Sequence, residues 1–137
     1  MQNPIAIIGA MQEEVEALRQ ALTVRNDMKS PFTLLSIAQG SLQEQDVIIV
    51  RCGVGKVNAA LATQYVIDHF QPRLIINSGV AGGVSPKVRI SDVVIGTHTM
   101  HHDFDVQMFG YPKGTIPGFE TGKFAADPKL VASDTET

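Results

Sequence analysis

The stretch "NSGVAGG" (residues 77–83) follows the apolar, strand-like run "RLIIN" (73–77) and contains three glycines. Its residues are small, and none has a side chain large enough for acid–base chemistry. A strand that ends in such a stretch allows backbone N–H groups to come close to another group. We therefore expect the loop after this strand to bind through its backbone.

Two further glycine-containing turns follow apolar runs, "IIGAM" (7–11) and "RCGVGKV" (51–57). In open α/β sheets, ligands bind beyond the carboxyl ends of the strands, where loops and helix N-termini converge. A tight turn would explain each glycine taken alone. The three turns together favour a pocket at one edge of a sheet.

Short apolar runs alternate with helical patterns along most of the chain. The pattern predicts strands over 5–8, 32–38, 46–51, 73–77 and 92–99, helices over 11–22 and 55–70, and a hairpin around Gly40. Near-continuous apolar strands that alternate with helices indicate a largely parallel α/β sheet covered on both faces. Residues 100–122 read as a loop, and Asp127 followed by Pro128 predicts the start of another helix.

Length and composition limit the class of protein. The chain has 137 residues, 44% hydrophobic and 18% charged, with a formal net charge of -3. These values predict a single domain over 1–137 whose partners are small molecules or other proteins, not nucleic acid or a membrane. The single cysteine, Cys52, suits a reducing cytoplasm, and the N-terminal run shows no basic region of a signal peptide.

Familiar cofactor motifs fail in this sequence. Gly53, Gly55 and Lys56 resemble the end of a P-loop, but the upstream glycine is missing and Val57 replaces the residue that would hold magnesium. The dinucleotide pattern fails as well, since Asn58 stands where its third glycine should be. We predict no cofactor.

A run rich in histidine and aspartate raises the question of a metal site. Its potential ligands cross from a strand end into a loop and lack the spacing that converges ligands on a rigid element, so we predict no metal; they are His98, His101, His102, Asp103 and Asp105. The same region carries bulky apolar side chains whose exposure to water would be costly, and burial against a partner subunit would explain them.

Glu13 and Glu14 lie in the first turn of the first predicted helix, close to the "IIGAM" turn. A carboxylate there could act as a general base on water. From the residues alone, a surface charge that complements the helix dipole is the favoured interpretation. Successive helix residues point about 100° apart, so the two glutamates cannot share one role.

Taken in order, "IIGAMQEEVEAL", "CGVGKVNAA", "INSGVAGG" and "HHDFDVQMFGYPKGTIPG" resemble the 5'-methylthioadenosine/S-adenosylhomocysteine nucleosidase family of the purine nucleoside phosphorylase superfamily. The resemblance runs from about residue 5 to residue 129. It covers the N-terminal half, or slightly more, of a typical member. It implies a three-layer α/β/α sandwich with a mixed central sheet, truncated at the C-terminus, and a homodimer.

The resemblance also implies a reaction, hydrolysis of the bond between adenine and a thioribosyl group, and roles for individual residues. Glu14 matches the water-activating glutamate. The substrate-binding positions are Met11 at the ribose, Val54 near the alkylthio end, Val80, Ala81 and Gly82 beside the nucleoside, and Val106, Phe109 and Pro117, contributed by a neighbouring subunit.

Two departures from the family pattern bear on activity. Val80 stands where many members have a serine or threonine that helps hold the water. The family's purine-protonating aspartate and its ribose-gripping Met-Glu pair belong to the C-terminal half, which this sequence does not include. One such acid is worth on the order of 10²–10⁴-fold in rate.

Three functions are therefore compared. The first is nucleosidase activity on methylthioadenosine and S-adenosylhomocysteine. The second keeps the fold and changes the chemistry, to an aminofutalosine nucleosidase or a phosphorylase, although phosphorolysis needs a basic phosphate clamp and Lys56 is the only obvious cation near the turns. The third is a truncated fragment that dimerises through the loop around Phe109 without activity.

Overall fold

A computed structural model describes residues 3–133 of the chain. The chain forms two compact units, over residues 1–82 and 83–137. A single domain over 1–137 remains a prediction. None of the helices within the described residues is long and apolar enough to cross a membrane.

The first unit is built on a five-stranded mixed sheet. Its elements are β1 (Ile5–Gly9), α1 (Gln12–Ala21), β2 (Thr23–Met28), β3 (Ser36–Leu42), β4 (Gln45–Arg51), α2 (Lys56–Phe70) and β5 (Leu74–Asn77). The strand order is β2-β3-β4-β1-β5. β1 is parallel to both of its neighbours, β4 and β5, whereas β3 is antiparallel to β2 and β4.

Alternate residues of β1 and β4 face two separate cores. On one face of the sheet, Ile48 and its neighbours pack with Ala62 and Val66 of α2. On the other face, Val47 and Ile49 pack with Val15 of α1. The unit therefore has three layers, helix, sheet and helix, as the sequence predicted.

The helix α2 is less enclosed than its composition suggested. A helix that is apolar almost all round is typically buried on most of its surface. Within it, Ala62 and Val66 are fully buried, but Val57 is 83% exposed and Leu61 45% exposed. One face of the helix covers the sheet, and Tyr65 also packs against the ring of Phe32, which precedes β3.

The predicted hairpin exists, but its turn lies elsewhere. The reversal between β3 and β4 is made by Gln43 and Glu44, both with positive φ. Gly40 lies inside β3, opposite Val47. A Cβ at Gly40 would lie 2.8 Å from the carbonyl oxygen of Thr23, so glycine is required there by the close approach of the start of β2.

Both edge strands differ from the expectation. β2 was not predicted, because all six of its residues are exposed and it lacks apolar alternation. β5 forms where predicted but is not buried as expected, since its residues are half-buried or exposed and β1 is its only partner among the described strands.

The second unit has little regular structure. It contains β6 (His98–Met100) paired with β7 (Lys123–Ala125), a 3₁₀ helix over Gln107–Phe109, and α3 (Pro128–Ser133). The predicted strand over 92–99 is wrong except at its end. Residues 92–96 are exposed and pair with no described strand, whereas the carbonyl of Thr97 accepts a hydrogen bond from the N–H of Ala126, next to β7, at 2.9 Å.

The predicted start of a C-terminal helix is confirmed. Asp127 caps α3, with its carboxylate accepting a hydrogen bond from the N–H of Lys129 at 2.8 Å. Pro128 is the first helical residue. Residues 134–137 lie outside the described part of the chain.

Candidate functional site

The three glycine-containing turns lie side by side at one edge of the sheet. β4, β1 and β5 are parallel neighbours, so the turns that follow them share the carboxyl edge. The backbone N–H groups of Cys52 and Gly53 donate to the carbonyls of Gly9 and Ala10, at 2.9 and 3.0 Å. The predicted convergence of these turns is confirmed.

Glu14 turns its carboxylate back into this edge. Its Oε2 accepts hydrogen bonds from the N–H groups of Ala10 and Met11, both at 2.8 Å. Its Oε1 accepts one from the N–H of Val80 at 2.9 Å. The backbone of the "NSGVAGG" loop therefore does approach another group, and that group is a carboxylate of the protein itself.

The position of Glu14 follows from the start of α1. Met11 is the N-cap residue, and Glu14 is the third residue of the helix. A glutamate at that position can reach back to the N-cap N–H, which has no partner within the helix. Val80 then adds a contact from a segment far along the chain.

These hydrogen bonds favour the ionised carboxylate. The N–H of Val80, followed by those of Met11 and Ala10, holds the pKa of Glu14 below its ordinary value, against an opposing effect of partial burial. Glu13, its neighbour, is exposed. The structure thus separates the two glutamates, which sequence patterns alone could not do.

A cavity of about 430 Å³ opens beside Met11 and Val54. Its size is within the range of small-molecule sites in proteins. Its wall consists of Ala10, Met11, Gln12, Leu34, Arg51, Gly53, Val54 and Asn58. The side chain of Asn58 donates to the carbonyl of Val54 at 2.7 Å and so fixes the turn that carries Val54.

Several of these residues were missed by sequence reasoning. Leu34, Arg51 and Asn58 line the cavity, although none of them had been assigned a binding role. Arg51 matters most, because Lys56 had been counted as the only cation near the turns. A signal was present, since Arg51 is the last residue of β4 and the carboxyl end of that strand was expected to face the site.

The other predicted binding residues lie in two places. Val80, Ala81 and Gly82 follow β5 in the first unit and are exposed. Val106, Phe109 and Pro117 belong to the second unit, where Val106 begins the 3₁₀ helix and Phe109 is 70% exposed. Their contact with a ligand remains a prediction.

Cys52 offers no nucleophile. The thiol is buried, which raises its pKa, and the negative charge of Glu14 adds to that effect. A thiol in such surroundings stays protonated and unreactive. Within residues 3–133, no three side chains suited to metal binding come together.

A family model described as "Phosphorylase superfamily" matches residues 4–133. The chain belongs to this superfamily. Among curated proteins it is 42% identical, over 127 residues, to a 5'-methylthioadenosine/S-adenosylhomocysteine nucleosidase of Anoxybacillus flavithermus, covering 93% of this chain and 53% of that protein. It is 44% identical to the corresponding nucleosidase of Exiguobacterium sp., covering 93% of this chain and 54% of that protein.

Solved structures of such nucleosidases share the fold of this superfamily member. The enzyme of Neisseria meningitidis, in complex with methylthio-immucillin-A, matches with a TM-score of 0.90 and 38% identity, covering 98% of this chain and 57% of that one. The enzyme of Colwellia psychrerythraea, in complex with adenine, matches with a TM-score of 0.92 and 36% identity, covering 99% and 55%. The nucleoside phosphorylase-like α/β fold implied by the sequence motifs is confirmed.

The match covers only part of each relative's length. The chain spans about half the length of the curated relatives that it matches. The four motifs that carried the resemblance all lie within the region matched by the family model.

Proposed function

We propose that the protein hydrolyses the N-glycosidic bond of 5'-methylthioadenosine and S-adenosylhomocysteine, releasing adenine and a thioribose. One observation carries the proposal: Glu14, the residue that matches the family's water-activating glutamate, is held ionised by three backbone N–H groups, two of which belong to Ala10 and Met11 in the wall of the cavity. The names of the curated relatives support the same chemistry.

In this reaction the bond between adenine and the ribosyl carbon breaks, and a bond from that carbon to a water oxygen forms. Over the whole reaction, one proton of the water is transferred to adenine. Departure of adenine leaves positive charge on the sugar, which a fixed carboxylate stabilises. Glu14 would orient the water and balance that charge, while Met11 and Val54 would contact the ribosyl and alkylthio groups.

In this proposal, Glu14 of this chain is the residue that activates the attacking water. The resemblance places the acid that protonates the purine in the half of the relatives that this chain does not span. We extend the proposal to a homodimer in which the loop around Phe109 completes the alkylthio pocket of the partner, and to a cytoplasmic enzyme. The exposure of Phe109 and the bulky residues beside it, and the free thiol of Cys52, support these two points.

The test is adenine release from methylthioadenosine in phosphate-free buffer, compared between the unmodified chain, Glu14→Gln and Glu13→Gln. Glu13 is the matched control because it is the adjacent, exposed carboxylate. We expect release that is lost in Glu14→Gln and kept in Glu13→Gln. Equal loss in both variants, or release unaffected by Glu14→Gln, would contradict the assignment.

A chain that folds and binds adenine without releasing it from methylthioadenosine would be an inactive half, the third of the functions compared above. Absence of both binding and release would leave only common ancestry with the nucleosidases. The same assay run with aminofutalosine as substrate separates the related nucleosidase.

Phosphorolysis is the second candidate because Arg51 lines the cavity. A guanidinium can hold a phosphate in two hydrogen bonds. The assay repeated with added phosphate distinguishes the reactions. Turnover that requires phosphate and yields a ribose 1-phosphate would replace hydrolysis as the function.

A further inference from the structure

Gly79 lies against the carboxylate of Glu14. A Cβ built on Gly79 would be 2.6 Å from Oε1 of Glu14 and 3.1 Å from its Cδ. The first distance is shorter than a Cβ contact allows and the second is tight, so the flexible carboxylate would have to shift if residue 79 had a side chain. The side chain of Glu14 can therefore occupy its place only if residue 79 has no side chain.

Backbone conformation does not explain this glycine. The glycines with positive φ in the described structure are Gly53, Gly55, Gly110, Gly114 and Gly118, and Gly79 is not among them. An alanine could adopt the backbone geometry at 79 without the strain that positive φ imposes. What requires glycine there is the approach of the Glu14 carboxylate.

The oxygen that faces Gly79 is also the one with room for water. A carboxylate has about four acceptor positions, two on each oxygen. Oε2 of Glu14 already accepts from Ala10 and Met11, whereas Oε1 accepts from Val80 alone among residues 3–133. One acceptor position on Oε1 therefore remains for a water molecule.

We propose that Gly79 is a positioning residue for the hydrolytic reaction: by having no side chain it allows Glu14 to bond to the N–H of Val80 and keeps Oε1 open to the attacking water. This inference rests on the proposed function for its role in turnover. The packing of Glu14 against Gly79 can be tested without turnover.

The first experiment follows the titration of the Glu14 side-chain carboxyl by carbon-13 NMR in the unmodified chain, Gly79→Ala and Gly83→Ala. Gly83 is the matched control, because a Cβ there would meet Val88 Cγ1 at 3.5 Å, an ordinary contact. In Gly79→Ala the carboxylate must move away from Val80, so the pKa of Glu14 rises towards its ordinary value. An unchanged titration in Gly79→Ala, or an equal rise in Gly83→Ala, would overturn the proposal.

The second experiment measures adenine release by the same variants. A misplaced carboxylate costs about 100-fold in kcat with little change in KM, because the cavity wall around Met11 and Val54 is untouched. In a Glu14→Gln background, Gly79→Ala should reduce kcat little further, since both changes remove one function. Full additivity of the two losses would show a general structural effect and refute the positioning role.

The two experiments distinguish failure of the proposed function from failure of the contact between Glu14 and Gly79. If the titration shifts as expected but the unmodified chain releases no adenine, the proposed function fails while the contact of Glu14 with Gly79 stands. If Gly79→Ala does not fold, the unmodified chain still decides the packing. The amide resonances of Ala10, Met11 and Val80 should then all shift with the pKa of the Glu14 carboxyl. A Val80 amide resonance that does not change as Glu14 titrates would overturn the proposal.

Discussion

Glu14 ties two distant parts of the first unit together. Its carboxylate joins the start of α1 to the loop after β5 through Ala10, Met11 and Val80. Hydrogen bonds to an ionised group are stronger than those between neutral groups. The residue proposed for catalysis therefore also stabilises the fold, and its two contributions can be measured separately.

The stabilising contribution should depend on pH. The folded state lowers the pKa of Glu14 from an ordinary value of 4.5. The stabilisation is then complete above the ordinary pKa and is lost as the pH falls through the folded pKa. We expect Glu14→Gln to unfold at lower urea concentration than the unmodified chain near neutral pH, and the difference to shrink below about pH 4.5. A difference that is constant across this range would contradict the role of ionisation.

Val80 gives a prediction on rate. The family resemblance implies a hydroxyl residue at this position in many members, whereas here Val80 is 79% exposed and its side chain offers the water no hydrogen bond. Val80→Ser should raise kcat for methylthioadenosine by about 2- to 10-fold, the effect of one hydrogen bond of about 0.5–1.5 kcal/mol. Val80→Ala is the control for side-chain size, and an equal gain in that variant would refute the hydroxyl effect.

At the scale of single residues, sequence patterns identified the glycine turns but not their contacts. The spacing of Glu13 and Glu14 could not choose between them, because the deciding partner, Val80, lies 66 residues later in the chain. Only the family resemblance selected Glu14. Arg51 was missed for the same physical reason, since its place on the cavity wall depends on the pairing of β1 with β4.

Among the elements, β4 contributes most to both cores. Ile48 is fully buried and faces α2, while Val47 and Ile49 face α1. A buried isoleucine fills space that neighbouring side chains cannot fully close after its removal. The parallel pairing of β4 with β1, which brings two of the three turns together, therefore rests on this strand's packing.

Ile48→Ala should lower the free energy of unfolding by about 2–5 kcal/mol. Ile90→Ala is the matched control, since Ile90 is 99% exposed, and its effect should stay within about 0.5 kcal/mol. Urea denaturation followed by circular dichroism measures both. Equal effects of the two substitutions would mean that β4 does not occupy the core as described.

Apolar patterns predicted the elements that cover a core, and also β5, but failed for the exposed strand β2. β1, α1 and α2 carry clear patterns because each covers a core. β2 carries none, since it is exposed throughout. The apolar run over 92–97 looked like a strand, but hydrophobicity alone does not supply the neighbouring strand that a ladder requires.

At the scale of the molecule, large apolar side chains remain exposed in the second unit. Val84, Ile90 and Val93 are each more than 90% exposed, and Phe109 and Met108 are 70% and 85% exposed. Exposed apolar side chains that cluster mark surfaces for association. Two regions, the 3₁₀ helix with Phe109 and the segment with Ile90, are therefore candidate contacts for the proposed homodimer.

The homodimer proposed above uses the first of these regions. One substitution in each region therefore distinguishes the two possible interfaces. Phe109→Asp places a charge on the 3₁₀ helix and should convert the dimer to a monomer, because burial of an unpaired carboxylate is costly. Ile90→Asp, an equal change in the other region, should leave the dimer intact. Light scattering after size-exclusion chromatography, over a range of chain concentrations, measures the mass of each variant. Dissociation by Ile90→Asp alone would move the interface to the 84–95 segment and remove the support for a pocket completed by Phe109 of the partner chain.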